Sequence, residues 1–183
     1  MISQPTHNNR VFGVTGWKNS GKTLLVTSLV AEFTRRGFKV STVKHAHHDF
    51  DIDKPGADSY RHREAGASEV ALVSGRRWAL MHELREEEEP SLDEILNRLA
   101  PCDLVLIEGY KREAHPKIEA RRLQARKSEP LAPKDPNILA IATDHPLSGE
   151  TLPVFDLNDI PAMADFISKT VGLTTLLEPE TTQ

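Results

Sequence analysis

Apolar residues in this chain fall into short clusters whose spacing switches between continuous runs and helical periodicity. Val11 to Val14, Leu104 to Ile107 and Ile138 to Ala142 are near-continuous apolar runs, the pattern of strands buried on both faces. Gly21 to Arg36 carries Leu24, Leu25, Leu29, Val30 and Phe33 at helical spacing, which predicts a helix ended by Gly37. Phe38 to Val43 reads as the next strand, and Asp58 to Ala65 as a short helix capped by Asp58-Ser59. Glu69 to Val73 and Trp78 to His82 read as strands flanking the tight turn Gly75-Arg76-Arg77, with Trp78 as a buried ring; the alternative is that Gly75 to Trp78 supplies stacking or phosphate contacts. Ser91 and Glu94 make a capping box for a helix over Ser91 to Leu99. Ile118 to Ala120 predicts an edge strand, Asn137 to Thr143 a buried one and Pro153 to Phe155 a short one, before a helix over Ile160 to Val171. Strands alternating with helices predict an α/β fold, a mainly parallel, doubly wound sheet with its ligand at the strand carboxyl ends.

At 183 residues the chain suits one domain, expected over residues 1–175 with a flexible tail at 176–183. A net charge of −4 from interspersed acids and bases gives no reason to expect nucleic acid or an anionic membrane as main partner. The run Glu86 to Glu89 reads as a solvated loop. Cys102 is the sole cysteine, so no internal disulfide is possible and a reducing compartment fits. Residues 1–10 lack the apolar core of a leader, and no stretch is apolar enough to span a bilayer. A cytoplasmic protein is expected.

The chemistry is concentrated in Gly16-Trp-Lys-Asn-Ser-Gly-Lys-Thr23, placed between a strand and a helix. Glycines at 16 and 21 let the backbone curl so that its N–H groups converge on phosphate oxygens, and the following helix adds its positive end. Lys22 is placed for the β- and γ-phosphates and Thr23 for Mg²⁺. The motif and the strand order together predict a three-layer P-loop NTPase fold. Glu108, at the carboxyl end of the buried Leu104 to Ile107 run, is the expected second metal-side group; the alternative is a cap for the next turn. Asp103 lies at the other end of that strand, roughly 16 Å away at strand rise, and is excluded from the site. Between His45 and Asp53 stand three histidines and three aspartates. They suit nucleotide or partner contacts, a transition-metal site, or structural hydrogen bonds.

The segments Gly16 to Thr23, Lys44-His-Ala-His-His-Asp-Phe-Asp-Ile-Asp-Lys-Pro-Gly-Ala-Asp-Ser59, Arg77-Trp-Ala-Leu80 and Leu106-Ile-Glu-Gly-Tyr-Lys111 together resemble the molybdopterin-guanine dinucleotide biosynthesis adapter proteins. These belong to a P-loop GTPase-like class that includes nickel-insertion and signal-recognition GTPases. The resemblance covers most of the chain. It implies a homodimer that binds GTP with Mg²⁺, hydrolyses it weakly at most, and assists the guanylyltransferase that joins GMP to molybdopterin. By position it implies nucleotide contacts from Gly16, Asn19, Ser20, Gly21, Lys22 and Thr23. Glu108 and an aspartate of the cluster, Asp49 or Asp53, then lie near the metal. Asp144 falls where related GTPases read guanine, but the Asn-Lys pair that usually precedes that aspartate is missing, so a turn role for Asp144 stands beside the base-reading one. Two alternatives remain at this stage: a P-loop small-molecule kinase, and a metallochaperone GTPase using the His45 to His48 cluster.

Overall fold

Residues Leu104 to Glu108 are buried at all five positions because their strand has neighbours on both edges and cover on both faces. The computed structural model describes residues 10–46, 50, 52–125 and 129–174. Its elements are β1 (Arg10–Thr15), α1 (Lys22–Arg35), β2 (Val40–Lys44), α2 (Asp58–Glu64), β3 (Glu69–Val73), β4 (Trp78–His82), α3 (Leu92–Arg98), β5 (Leu104–Glu108), β6 (Lys117–Arg121), β7 (Ile138–Thr143), β8 (Val154–Asp156) and α4 (Ile160–Val171), with a 3-10 turn at Ala132–Lys134. They fall into two compact units, residues 46–95 forming the second and the remainder the first.

The first unit is built on a six-stranded sheet in the order β2-β5-β1-β6-β7-β8, with every pairing parallel. The α/β fold with a mainly parallel sheet is therefore as expected. On one face Phe12, Val14, Leu104, Leu106, Ile118, Ala120, Ala140 and Ala142 meet Leu25, Leu29 and Phe33 of α1 and Met163, Ala164 and Ile167 of α4. Small residues on β7 leave room for the bulkier Met163 and Ile167, which are both fully buried. Asp159 caps α4 by accepting from the Ala162 N–H at 3.2 Å, Pro161 suits its first turn, and Gly172 ends it at φ 66°.

The opposite face of β6 is different. Lys117, Glu119 and Arg121 alternate along it, yet all five residues of the strand are buried. Their cover is irregular chain, whose backbone groups need partners. Lys117 Nζ donates to the carbonyls of Lys111 and Glu113 and to Asp135 Oδ2, while Glu119 accepts from the Leu131 and Ala132 N–H groups. Arg121 donates to Glu119 at 2.8 Å and to Glu150. The expected edge strand at 118–120 is thus a central strand, between β1 and β7. Its polar alternation imitates exposure but records a polar, loop-covered face.

Two further expectations on this unit need correction. Leu24 is 59% exposed, and Val26 takes its place in the buried stripe with Leu25, Leu29 and Phe33. Strand β2 starts at Val40 and not at Phe38, since the Phe38 N–H is used to close the end of α1 by bonding to the Phe33 carbonyl.

In the second unit, β3 and β4 form an antiparallel two-stranded sheet with Val73 opposite Trp78 and Ala71 opposite Leu80. Val70 and Met81 are buried on one face, whereas Val73, Trp78 and Leu80 line the other and are exposed, Trp78 by 71%. The expectation of a buried Trp78 fails. Helix α2 has no side-chain cap: Ala57 precedes it, and Ser59 instead donates to Asp53 Oδ1 at 2.9 Å. The capping box at Ser91 and Glu94 is formed, with Ser91 N–H on Glu94 Oε2 at 2.8 Å. No helix among the described residues is long and apolar enough to cross a membrane.

Candidate nucleotide-binding site

At the carboxyl end of β1 the chain turns through Gly16 to Gly21 before entering α1, between β5 on one side and β6 on the other. This is the switch point of the sheet, where the crossovers leave a crevice. Gly16, Asn19 and Gly21 all have positive φ, at 145°, 67° and 88°. Such a run turns successive N–H groups toward one centre and makes an anion nest at the N-terminus of α1. A side chain on Gly16 would strike the Ala120 carbonyl of β6 and Ser20 Oγ, each at 2.5 Å, so the loop lies as tightly on the sheet as its backbone permits.

Lys22 curls back to donate to the Trp17 carbonyl at 2.7 Å, and Thr23 donates its hydroxyl to Glu108 Oε1 at 2.7 Å. Lys44, register partner of Glu108 across the β2–β5 pair, places Nζ 3.4 Å from the same oxygen. Lys111 stands 4.3 Å over the Trp17 ring. Three lysines thus gather at the loop, Lys22 and Lys44 beside the buried Glu108 carboxylate and Lys111 beside Lys22. The pKa of Lys22 is lowered, first by loss of water and then by Lys111 and Lys44, with Glu108 opposing. An incoming polyanion relieves that repulsion. The hydroxyls of Thr15 and Ser20 are buried without a hydrogen-bond partner among the described residues. Such groups fit a site completed by a ligand.

The donor set also fits a hard divalent cation. Thr23 hydroxyl and Glu108 carboxylate supply oxygen ligands within reach of one another, the chemistry that suits Mg²⁺ when phosphate oxygens and water complete its octahedron.

The structure therefore brings together Gly16, Asn19, Ser20, Gly21, Lys22, Thr23 and Glu108. Asp103, at the opposite end of β5, accepts from the Lys39 N–H at 2.7 Å. His45 belongs to the same unit, with its N–H on the Glu108 carbonyl and its ring 4.7 Å from that of Tyr110. His47, His48, Asp49 and Asp51 lie outside the described residues. Asp53 belongs to the second unit, where it accepts from Ser59 and the Lys54 N–H and lies 3.5 Å from Arg63. Asp144 follows β7; its Oδ1 accepts from the Leu123 N–H at 3.2 Å and meets His145 Nδ1 at 2.9 Å, and the His145 contact is the main reason its pKa is lowered. Beside the loop is a cavity of about 200 Å³, lined by Trp17, Ser20, Glu119, Arg122, Leu123 and His145 among others. Trp17 is fixed at its rim by donating Nε1–H to the Glu129 carbonyl at 2.7 Å. Sequence reasoning missed Arg122, which lines the phosphate-loop pocket together with Asn19, Gly21, Lys22, Thr23 and Leu24. Its signal was the position directly after a strand beside β1, obscured by the neighbouring Arg121.

Comparison with known proteins agrees with this geometry. Residues 11–144 match the model of the family described as molybdopterin guanine dinucleotide synthesis protein B. The chain is 42% identical over 164 residues to the molybdopterin-guanine dinucleotide biosynthesis adapter protein of Haemophilus influenzae, covering 87% of this chain and 89% of the relative. It is 39% identical over 153 residues to that of Escherichia coli, covering 82% and 87%. Among solved structures, the MobB protein homolog from Bacillus stearothermophilus superposes with a TM-score of 0.66 at 30% identity, covering 90% of this chain and 99% of that one. Bacillus subtilis MobB shares the fold at a TM-score of 0.69 and 24% identity, covering 88% and 98%. A phosphate loop joined to a buried carboxylate on the neighbouring strand, in a chain matched along most of its length, places this protein in the molybdopterin guanine dinucleotide synthesis protein B family.

Proposed function

We propose that this protein is a GTP-binding adapter in molybdopterin guanine dinucleotide biosynthesis, assisting the guanylyltransferase without performing the transfer. The observation that carries nucleotide binding is the Thr23 hydroxyl on the Glu108 carboxylate beneath a cationic phosphate nest. The relatives' role as adapters selects this pathway over the kinase and metallochaperone alternatives. Lys22 and the loop N–H groups hold the phosphates, Thr23 and Glu108 hold Mg²⁺, and the cavity beside Trp17 takes the base, with Asp144 at the end of β7 available through Oδ2 to accept from guanine. Asp49 and Asp53 stay candidates for the metal's water shell on the family motif alone. Hydrolysis is slow: among the described residues no glutamine lines the phosphate-loop pocket to orient an attacking water.

The protein acts in the cytoplasm as a homodimer, residues 1–175 forming one nucleotide-binding module. Dimerisation is supported by the exposed Val73, Trp78 and Leu80 on one face of a two-stranded sheet, an arrangement that needs cover to be stable. The adapter role is tested by mixing the purified chain with a molybdenum cofactor guanylyltransferase and GTP in analytical ultracentrifugation. A joint species that weakens with Lys22→Ala is expected. Independent sedimentation of the two proteins, with no change in guanylyltransferase output, contradicts the role.

A further inference from the structure

Arg122 leaves the end of β6 on the flank of the phosphate loop opposite Glu108, since β6 and β5 lie on either side of β1. Its backbone is pinned from both directions. Arg121 before it is tied to Glu119 and Glu150, the Leu123 N–H after it is bonded to Asp144, and its own carbonyl accepts from the Ala125 N–H at 3.0 Å. The side chain is thereby directed at the start of α1. A Cβ on Gly21 would lie 2.7 Å from Arg122 Nε, 3.0 Å from Cζ and 3.3 Å from Nη2. The guanidinium fills the space that the absent Gly21 side chain leaves, against the mouth of a pocket of about 290 Å³ that also includes Lys22 and Thr23. Arg122 Nε is buried with no hydrogen-bond partner among the described residues, and no carboxylate among them pairs with this guanidinium. That contrasts with its neighbour Arg121, which meets two glutamates. A half-buried cation with a buried, unsatisfied donor is unfavourable unless an anion joins it.

We propose that Arg122 is a phosphate-binding residue of this site, its guanidinium engaging oxygens of the bound nucleotide's polyphosphate from the β6 side. The inference rests on the nucleotide-binding reading and adds a residue to it. It divides the site into a metal side, Thr23 and Glu108, and a metal-free side, Arg122. Guanidinium geometry suits paired phosphate oxygens, and a lysine at that position would keep the charge but lose the fork.

The test is calorimetric titration of the full chain and of Arg122→Gln and Arg122→Lys with GTP, ATP and inorganic tripolyphosphate, each with Mg²⁺ and with EDTA. Arg122→Gln is expected to lose at least tenfold in triphosphate and tripolyphosphate affinity both with and without Mg²⁺. Arg122→Lys is expected to lose less, and the melting temperature of the free protein to stay unchanged in both. Affinity within twofold of wild type for Arg122→Gln overturns the proposal, as does an equal loss in both variants that follows a lowered melting temperature. If wild type prefers ATP, the guanine reading fails while the Arg122 comparison is made with ATP. If wild type binds none of the three probes, both fall.

Discussion

At the scale of single residues, cations crowd together at the phosphate loop, whereas a buried imidazole elsewhere stays uncharged. Lys22, Lys44 and Lys111 gather around the phosphate loop, with Glu108 acting on Lys22 and lying 3.4 Å from Lys44. His115 shows the second case. Its ring packs on Gly13, where an added Cβ would come within 2.4 Å of Nε2, and neither ring nitrogen has a partner among the described residues. Burial, with Lys117 nearby, pushes its pKa down to about 4. The imidazole is therefore neutral in the folded protein at pH 7, while in the unfolded chain it takes up a proton below about pH 6.5. A lowered folded pKa means that the unfolded state binds more protons, so stability falls as pH drops from 6.5 toward 4. Between pH 7.5 and 5 this one residue should cost on the order of 2 kcal/mol. Urea midpoints for wild type and His115→Gln measure it: the variant should lose distinctly less stability over that interval, and parallel losses would show that the proton goes elsewhere.

At the scale of elements, the hairpin of β3 and β4 makes the sharpest prediction. Its paired positions put Val70 and Met81 on a buried face and Val73, Trp78 and Leu80 on an exposed one. If a second copy covers that exposed face, Trp78→Arg should shift the protein from dimer to monomer in sedimentation equilibrium while nucleotide affinity persists. A dimer of unaltered strength places the interface elsewhere. The bounds of this hairpin, of α4 and of β5 were legible in the sequence, because Glu69 to Val73, Ile160 to Val171 and Leu104 to Glu108 carry patterns that only one element type satisfies. What covers a face was not legible. Trp78 looked like a core residue because a large ring in a strand usually is one. The strand expected at an edge, Ile118 to Ala120, is flanked and interrupted by Lys117, Glu119 and Arg121, and such alternation cannot distinguish water from loop backbone as the source of hydrogen bonds. Leu24 obeyed the helical period, yet it sits in the first turn of α1, where it lines the phosphate pocket.

Across the whole molecule, the meeting of Gly16 to Thr23 with Glu108 was readable from spacing because each has a fixed place in the fold: a loop after the first strand, a carboxylate at the end of the strand beside it. Arg122 was not readable, since its role depends on which strand neighbours β1, and that order emerges only from the assembled sheet. The segment Lys44 to Ser59, with Gly16 to Thr23, Arg77 to Leu80 and Leu106 to Lys111, carried the family resemblance in sequence, and the family match over residues 11–144 agrees with it. The proposed function requires this chain to bind a guanine nucleotide through its phosphate loop. Calorimetric titration of GTP and ATP, each with Mg²⁺, into wild type and Lys22→Ala tests it most directly. Binding that favours GTP and falls at least tenfold in Lys22→Ala, with the variant still folded, is the expected result; equal affinity in wild type and Lys22→Ala, or a preference for ATP, would contradict the claim.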